Sequence, residues 1–182
     1  MASDGSREMI VRTGGSDDTP ALQLIEKKAR AVYASLAGFE FVATSPPIAA
    51  DRLMSGTAFV AEVSKSLVGF ALVQPMDGTL YLANISVLPE ASNRGVGARL
   101  LERVIAYARA RHATAVTLTT FRVPPWTGPW FRRHGFTTMP ESEVGAGLRA
   151  ILTRHASFLD METRETLWLP IIKITGARQE IT

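Results

Sequence analysis

The spacing of apolar residues changes several times along the chain, and each change marks an element. Met9–Thr13 reads as a short first strand. Leu22, Ile25, Ala29, Val32 and Leu36 then recur every three or four residues, the signature of a helix face. Asp18 or Thr19 is placed to cap that helix, Pro20 suits its first turn, and Gly38 stops it. Phe39–Val42 fits no period, and Ile48–Met54 predicts one more short helix. From Thr57 the pattern turns β-like. Thr57–Val63 and Leu67–Val73 predict a hairpin about Ser64–Ser66. Gln74–Gly78 predicts a second turn with an Asp-Gly signal, and Thr79–Val87 a third strand. A polar loop, Leu88–Gly97, precedes a strong helix to about His112, with Leu100, Leu101, Val104, Ile105 and Ala108 on one face. The β-branched run Ala115–Thr120 predicts the next strand. A strand–loop–helix–strand crossover implies that Thr79–Val87 and Ala115–Thr120 lie parallel. Phe121–Pro129 is a loop with three prolines, and Trp130–His134 one or two helical turns. Gly135–Met139 predicts a strand and Glu141 to about His155 a helix. Thr166–Ile174 is the last strand, in which Pro170 argues for an edge position or a bulge. The expected fold is a mixed α/β sheet in one domain over residues 9–176, with tails at 1–8 and 177–182.

Composition narrows the classes. The chain has 182 residues, 46% hydrophobic and 20% charged, which suits one globular domain and excludes a largely disordered chain. There is no cysteine, so disulfides, a thiolate nucleophile and a zinc-thiolate site are excluded. The net charge of +3 is modest, and the basic residues form no aromatic-interleaved stripe, so no nucleic-acid partner is expected. His112, His134 and His155 share no ligand spacing, and no metal site is expected. No stretch approaches the roughly 20 apolar residues of a membrane span, and Met1–Glu8 lacks a signal-peptide layout. A soluble cytoplasmic protein without a membrane partner is the expectation.

The chemistry concentrates at Arg94-Gly-Val-Gly-Ala-Arg99, between a strand and a helix. Glycines let the backbone turn tightly with N–H groups outward, and the helix start adds unpaired N–H groups and a positive dipole end. Such a loop cradles an anion, most often phosphate. A helix-start turn that merely uses glycine is equally compatible. A Walker loop is excluded, because no Gly-Lys-Ser/Thr run exists. A dinucleotide fingerprint fails as well: Leu100 stands where a third small residue belongs, and no acidic partner follows about twenty residues on.

The run Ile85–Leu101 resembles the acyl-CoA signature of the GNAT N-acetyltransferase superfamily. Trp130-Phe-Arg-Arg-His-Gly-Phe136 resembles that family's closing aromatic–Tyr–x–x–x–Gly–Phe element, one helix and one strand later. Leu118–Trp126 is similar to a bacterial subgroup carrying a Thr-Phe-Arg…Pro-Trp stretch. The resemblance implies a GNAT-like acyl-CoA N-acyltransferase fold with a splayed parallel strand pair. It implies that the backbone of Asn93, Arg94, Gly95, Val96, Gly97 and Ala98 binds the CoA pyrophosphate, and that Ile85, Ser86 and Val87 pair with the pantetheine arm. The resemblance implies further that Thr127, Trp130 and Phe131 complete the cofactor side and that the Ile85 N–H polarises the thioester carbonyl. The implied reaction is direct transfer of acetyl from acetyl-CoA, as cosubstrate, to an amine of a small molecule or protein.

The departures bear on rate. Ser92 replaces the usual Gln or Arg, Thr127 an Asn, and Phe131 the Tyr that protonates the thiolate. The central-strand Glu position falls at Tyr81 or Ala83, neither acidic. A thiolate of pKa about 8.5 leaves tolerably without an acid, so the loss costs rate, about 10² to 10⁴-fold, rather than possibility. Tyr81 is expected to point into the slot and hold a proton-carrying water, or else to pack in the core. Arg132 and Arg133 either reach the CoA phosphates or are solvated. Glu40, Glu141 and Glu143 are acids open to a cationic acceptor and equally ordinary surface acids. The rival reading is a catalytically weak GNAT-fold module that binds acyl-CoA as a sensor or partner domain. The apolar last strand is open to pairing across a homodimer.

Overall fold

The computed structural model describes residues 8–171. Among them seven strands form one sheet in the order β1-β2-β3-β4-β5-β7-β6. These are β1 (Met9–Thr13), β2 (Thr57–Val63), β3 (Ser66–Met76), β4 (Thr79–Val87), β5 (Ala115–Phe121), β6 (Thr137–Thr138) and β7 (Arg164–Pro170). The helices are α1 (Thr19–Arg30), α2 (Glu40–Thr44), α3 (Ala50–Met54), α4 (Val96–Ala110), α5 (Gly128–Arg133) and α6 (Ala146–Ala156). The expected tails and the end of the last strand, 172–174, lie outside the described residues. No helix among them is long and apolar enough to cross a membrane.

Turn chemistry sets the meander. Ser64 and Lys65 both take positive φ, 51° and 65°, as a two-residue hairpin requires. Asp77 and Gly78 do the same at 50° and 76°. The second turn is therefore two residues, not the five of Gln74–Gly78, and β3 runs on to Met76. Pro75 is tolerated in that strand because β2 pairs only as far as Val73, so no neighbour needs its missing N–H.

The helices cover both faces. Leu100, Leu101, Val104 and Ala108 of α4 pack on Phe59, Ala71, Leu80 and Leu118. Leu22 and Ile25 of α1 and Leu53 of α3 pack on Val60, Phe70 and Leu72 on the opposite face. Leu148 and Ile151 of α6 cover Tyr81. The first helix ends at Arg30 and continues as a tighter turn through Ser35. Asp18 does not cap it with its side chain, which instead binds Arg12 at 2.8 Å and the Gly15 N–H at 2.9 Å.

Two expectations about the last strand need correction. β7 is not an edge: β5 pairs along its length, and β6 pairs with Leu167 and Trp168 from the other side. Leu167 and Trp168 therefore have no free backbone to offer a second copy, and strand pairing across a dimer at those residues is withdrawn. Pro170 is tolerated because it closes the strand beyond the reach of β6.

Candidate functional site

β4 and β5 pair only at Leu80↔Val116 and Tyr81↔Thr117. Beyond those pairs they diverge, and a cavity of about 660 Å³ opens between them. It runs from the start of α4 through the gap to α1 and α2, lined by Ile85, Gly97, Thr119 and Arg30 among others.

The backbone of β4 is arranged for this gap. Met76 and Thr79 close the two-residue hairpin, so Thr79 and Tyr81 direct their backbone groups to β3. Leu72 faces Asn84 whereas Val73 faces Leu82, which leaves Ala83 as the extra residue of a β-bulge. The bulge reverses the alternation. Leu88 donates to Val68 O at 2.8 Å, so Asn84 and Ser86 bond β3, and Ile85 and Val87 aim their N–H and C=O groups into the gap.

The glycine loop stands beside them. Asn93 and Gly95 adopt left-handed φ, 59° and 80°, which turns the chain into α4. The first helical bond is donated by Arg99 to Gly95 O at 3.0 Å. The N–H groups of Val96, Gly97 and Ala98 have no intrahelical acceptor and stand at the positive end of the helix dipole. An added Cβ at Gly97 would lie 3.2 Å from Cζ2 of Trp130, so the ring of Trp130 closes over the helix start. Gly95 meets no obstacle, and its requirement is conformational alone.

Ile85, Ser86, Val87, Asn93, Gly95, Val96, Gly97, Ala98, Thr127, Trp130 and Phe131 all line this cavity. Arg94 does not; its side chain is exposed. Phe131, 6% exposed, packs edge-on to Trp130 and Phe136, with centroids at 4.9 and 5.5 Å. Of the two fates expected for Tyr81, packing in the core is the one observed. Tyr81 is 3% exposed, packs under α6, and reaches the gap only through Thr119, with 3.4 Å between the two oxygens. The backbone bulge, invisible in residue types, turns the side chains beyond it. Arg132 is held by Glu165 and Thr138, and Arg133 by Pro125 O, so neither reaches the cavity. Glu40, Glu141 and Glu143 lie off it too.

Residues 30–136, more than half of the chain, match the acetyltransferase (GNAT) family. The chain belongs to the GNAT acetyltransferase family. Its fold is shared with solved GNAT-type structures. The ribosomal-protein-S18-alanine N-acetyltransferase from Escherichia coli matches at 17% identity and TM-score 0.65, covering 96% of this chain and 100% of that chain. PaiA N-acetyltransferase from Thermoplasma acidophilum, in complex with coenzyme A, matches at 13% identity and TM-score 0.66, covering 90% and 99%. N-acetylglutamate synthase from Neisseria gonorrhoeae, complexed with coenzyme A and N-acetyl-glutamate, matches at 20% and 0.67, covering 91% of this chain and 36% of that chain.

The far side of this GNAT cavity carries groups that the sequence did not single out. Arg30 and Glu26 pair at 3.1 Å, Glu26 also accepts the Ile48 N–H at 3.0 Å, and Arg30 donates to Val42 O and Ser45 O. This clamp fastens α2 and the following loop to α1 and leaves Glu26 committed. Arg164 donates to Thr119 Oγ1 at 3.0 Å. Thr119 then accepts from Arg164 and Tyr81 and donates to Nδ1 of His155 at 3.4 Å, an assignment that gives each of these three bonds one donor and one acceptor.

Burial lowers the His155 pKa to about 4, helped by the charges of Arg164, Arg154 and Arg52. The unfolded chain accepts a proton near 6.5 that the folded state refuses. The stability tied to His155 is therefore complete above pH 6.5 and is lost as the pH falls towards about 4. Across that window the thermal midpoint of the His155→Gln variant is expected to fall less steeply than that of the parent, by calorimetry at a series of pH values.

Proposed function

We propose that this GNAT protein is an acetyl-CoA-dependent N-acetyltransferase acting on an amine of a small molecule or protein. The observation that carries the reading is the outward-facing backbone of Ile85 and Val87 beside the unpaired helix-start N–H groups, in one cavity between splayed strands. Two of the three structural neighbours are complexed with coenzyme A, which supports the same ligand class.

In this reading the N–H groups from Asn93 to Ala98 hold the pyrophosphate, with the side chain of Arg94 outside the site. The backbone of Ile85 to Val87 takes the pantetheine arm, and Thr127, Trp130 and Phe131 wall it on the α5 side. Acetyl-CoA supplies an acyl group activated as a thioester. The Ile85 N–H donates to the carbonyl oxygen as negative charge builds on it, a contact in a dry cavity worth about 3 kcal/mol by analogy with oxyanion holes. The acceptor amine approaches from the α1–α2 side. It passes its proton to water beside Thr119, which Tyr81 and His155 hold in one orientation; Tyr81 is a positioning residue here. Phe131 has no proton to give, so the thiolate leaves unassisted and is protonated by solvent.

One observation favours the weaker-catalyst reading: among the described residues no uncommitted carboxylate lines the cavity, since Glu26 is clamped by Arg30. The two readings separate by experiment. Calorimetric titration with acetyl-CoA is expected to give micromolar or tighter binding. A thiol-release assay with an amine panel is then expected to show amine-dependent turnover. Binding without amine-dependent thiol release leaves the sensor module. Absence of binding at millimolar acetyl-CoA removes the cofactor assignment altogether.

A further inference from the structure

Among the described residues three charged side chains line the cavity: Glu26, Arg30 and Arg164. The first two neutralise each other. Arg164 has no acidic partner among the described residues, because its neighbour Glu165 points to the opposite face of β7 and binds Arg132. The acceptor end of the cavity therefore carries one uncompensated positive charge.

That charge is sequestered. The Arg164 guanidinium lies over the Phe121 ring, 4.5 Å from its centroid, and Nε is buried with no hydrogen-bond partner. Only Nη2 has a partner, Thr119. Phe121 in turn packs edge-on against Phe39 at 5.0 Å and at a tilt against Tyr33 at 6.1 Å, and Trp126 meets Tyr33 at 5.6 Å. Burial lowers the Arg164 pKa, yet arginine stays charged. A buried cation with an orphaned N–H is costly unless something brings it a counter-charge. The remaining donors of the fork suit two parallel bonds to a planar carboxylate.

The counter-charge does not come from the cofactor side. Leu118 faces α4, so by strand alternation Thr119 and Phe121 face α1 and α6, and Arg164, directly opposite Phe121, shares that face. The helix-start loop lies on the other face. His155 is neutral at neutral pH and adds no charge of its own.

We propose that Arg164 binds a carboxylate of the acceptor, so that the amine substrate of this enzyme is a carboxylate-bearing one, such as a free amino acid, rather than a polyamine or an internal lysine side chain. This rests on the acetyltransferase reading above. The aromatic wall of Phe121, Tyr33 and Trp126 keeps water from the ion pair and so strengthens it.

The test uses the twenty amino acids, each paired with its decarboxylated amine, under saturating acetyl-CoA and followed by thiol release. At least one amino acid is expected to exceed its amine partner in kcat/KM by about 100-fold. Arg164→Gln is expected to remove that preference, lowering kcat/KM for the acid about 100-fold more than for the amine, which shares only the loss of the Arg164–Thr119 bond. Arg164→Lys, which keeps a charge but loses the fork, falls between. Both variants are expected to bind acetyl-CoA as the parent does, by calorimetry, which certifies their fold and the cofactor site. Turnover confined to amines without a carboxylate, or a preference that survives Arg164→Gln, overturns the carboxylate subsite alone. Failure of the parent to bind acetyl-CoA overturns the transferase reading and the subsite with it.

Discussion

Gly97→Leu is expected to weaken acetyl-CoA binding at least about 100-fold, or about 2.7 kcal/mol, with the fold intact. The Cβ alone would sit 3.2 Å from Trp130 and 3.9 Å from Val87, and the further carbons extend where a phosphate would meet the helix start. Gly97→Ala provides the control that separates site from scaffold. Gly97 lies in the first turn of α4 outside the positive-φ region, so alanine gains about 0.4–1 kcal/mol of helix stability, offset by the 3.2 Å approach of its Cβ to the Trp130 ring, while crowding the ligand. A thermal midpoint that holds or rises, measured beside a calorimetric Kd that worsens several-fold, is the expected pair of results. Unchanged binding in Gly97→Leu removes the phosphate role from this loop.

The second large effect concerns the scaffold under α5. Gly128→Ala is expected to lower the thermal midpoint by about 5–15 °C, equivalent to about 2–4 kcal/mol. The new Cβ overlaps the Glu165 carboxylate and comes within 2.9 Å of Phe121 O. Glu165 has little room to yield: its side chain is buried and holds Arg132, with Arg122 at 3.7 Å. Phe121 O belongs to the backbone of β5 and cannot move without the strand. Because α5 carries Trp130 and Phe131, acetyl-CoA affinity should fall together with stability, in contrast to Gly97→Ala. Calorimetric unfolding and titration of the same preparation read both.

The half of this cavity beside the start of α4 was legible because it is local. Four strands, the crossover helix and the glycine loop lie within Thr57–Phe121, and each follows from a pattern only a few residues long. The turn residues Asp77 and Gly78 and the α4 face announce themselves in the same way. The half beside α1 and α2 was not legible, because nothing local marks it. Arg164 and Glu165 are adjacent charged residues, and strand alternation sends one to the cavity and the other to α5. The burial of Tyr81 was not legible because it depends on Leu148 and Ile151 of α6, some seventy residues away in sequence.

The start of α6 shows the same division. Its first N–H groups are satisfied by Asp77, which accepts from Gly147 at 2.9 Å and from Leu148 at 3.2 Å across the sheet. The sequence by itself determined the alternation of strands and helices, the parallel crossover and the phosphate-type loop, since hydrophobic period, turn residues and helix starts act over short distances. Only the tertiary structure decided the divergence of β4 from β5, the enclosure of β7 and the company of Arg164. Those depend on which distant groups become neighbours, and on whether a buried charge finds a partner when they do.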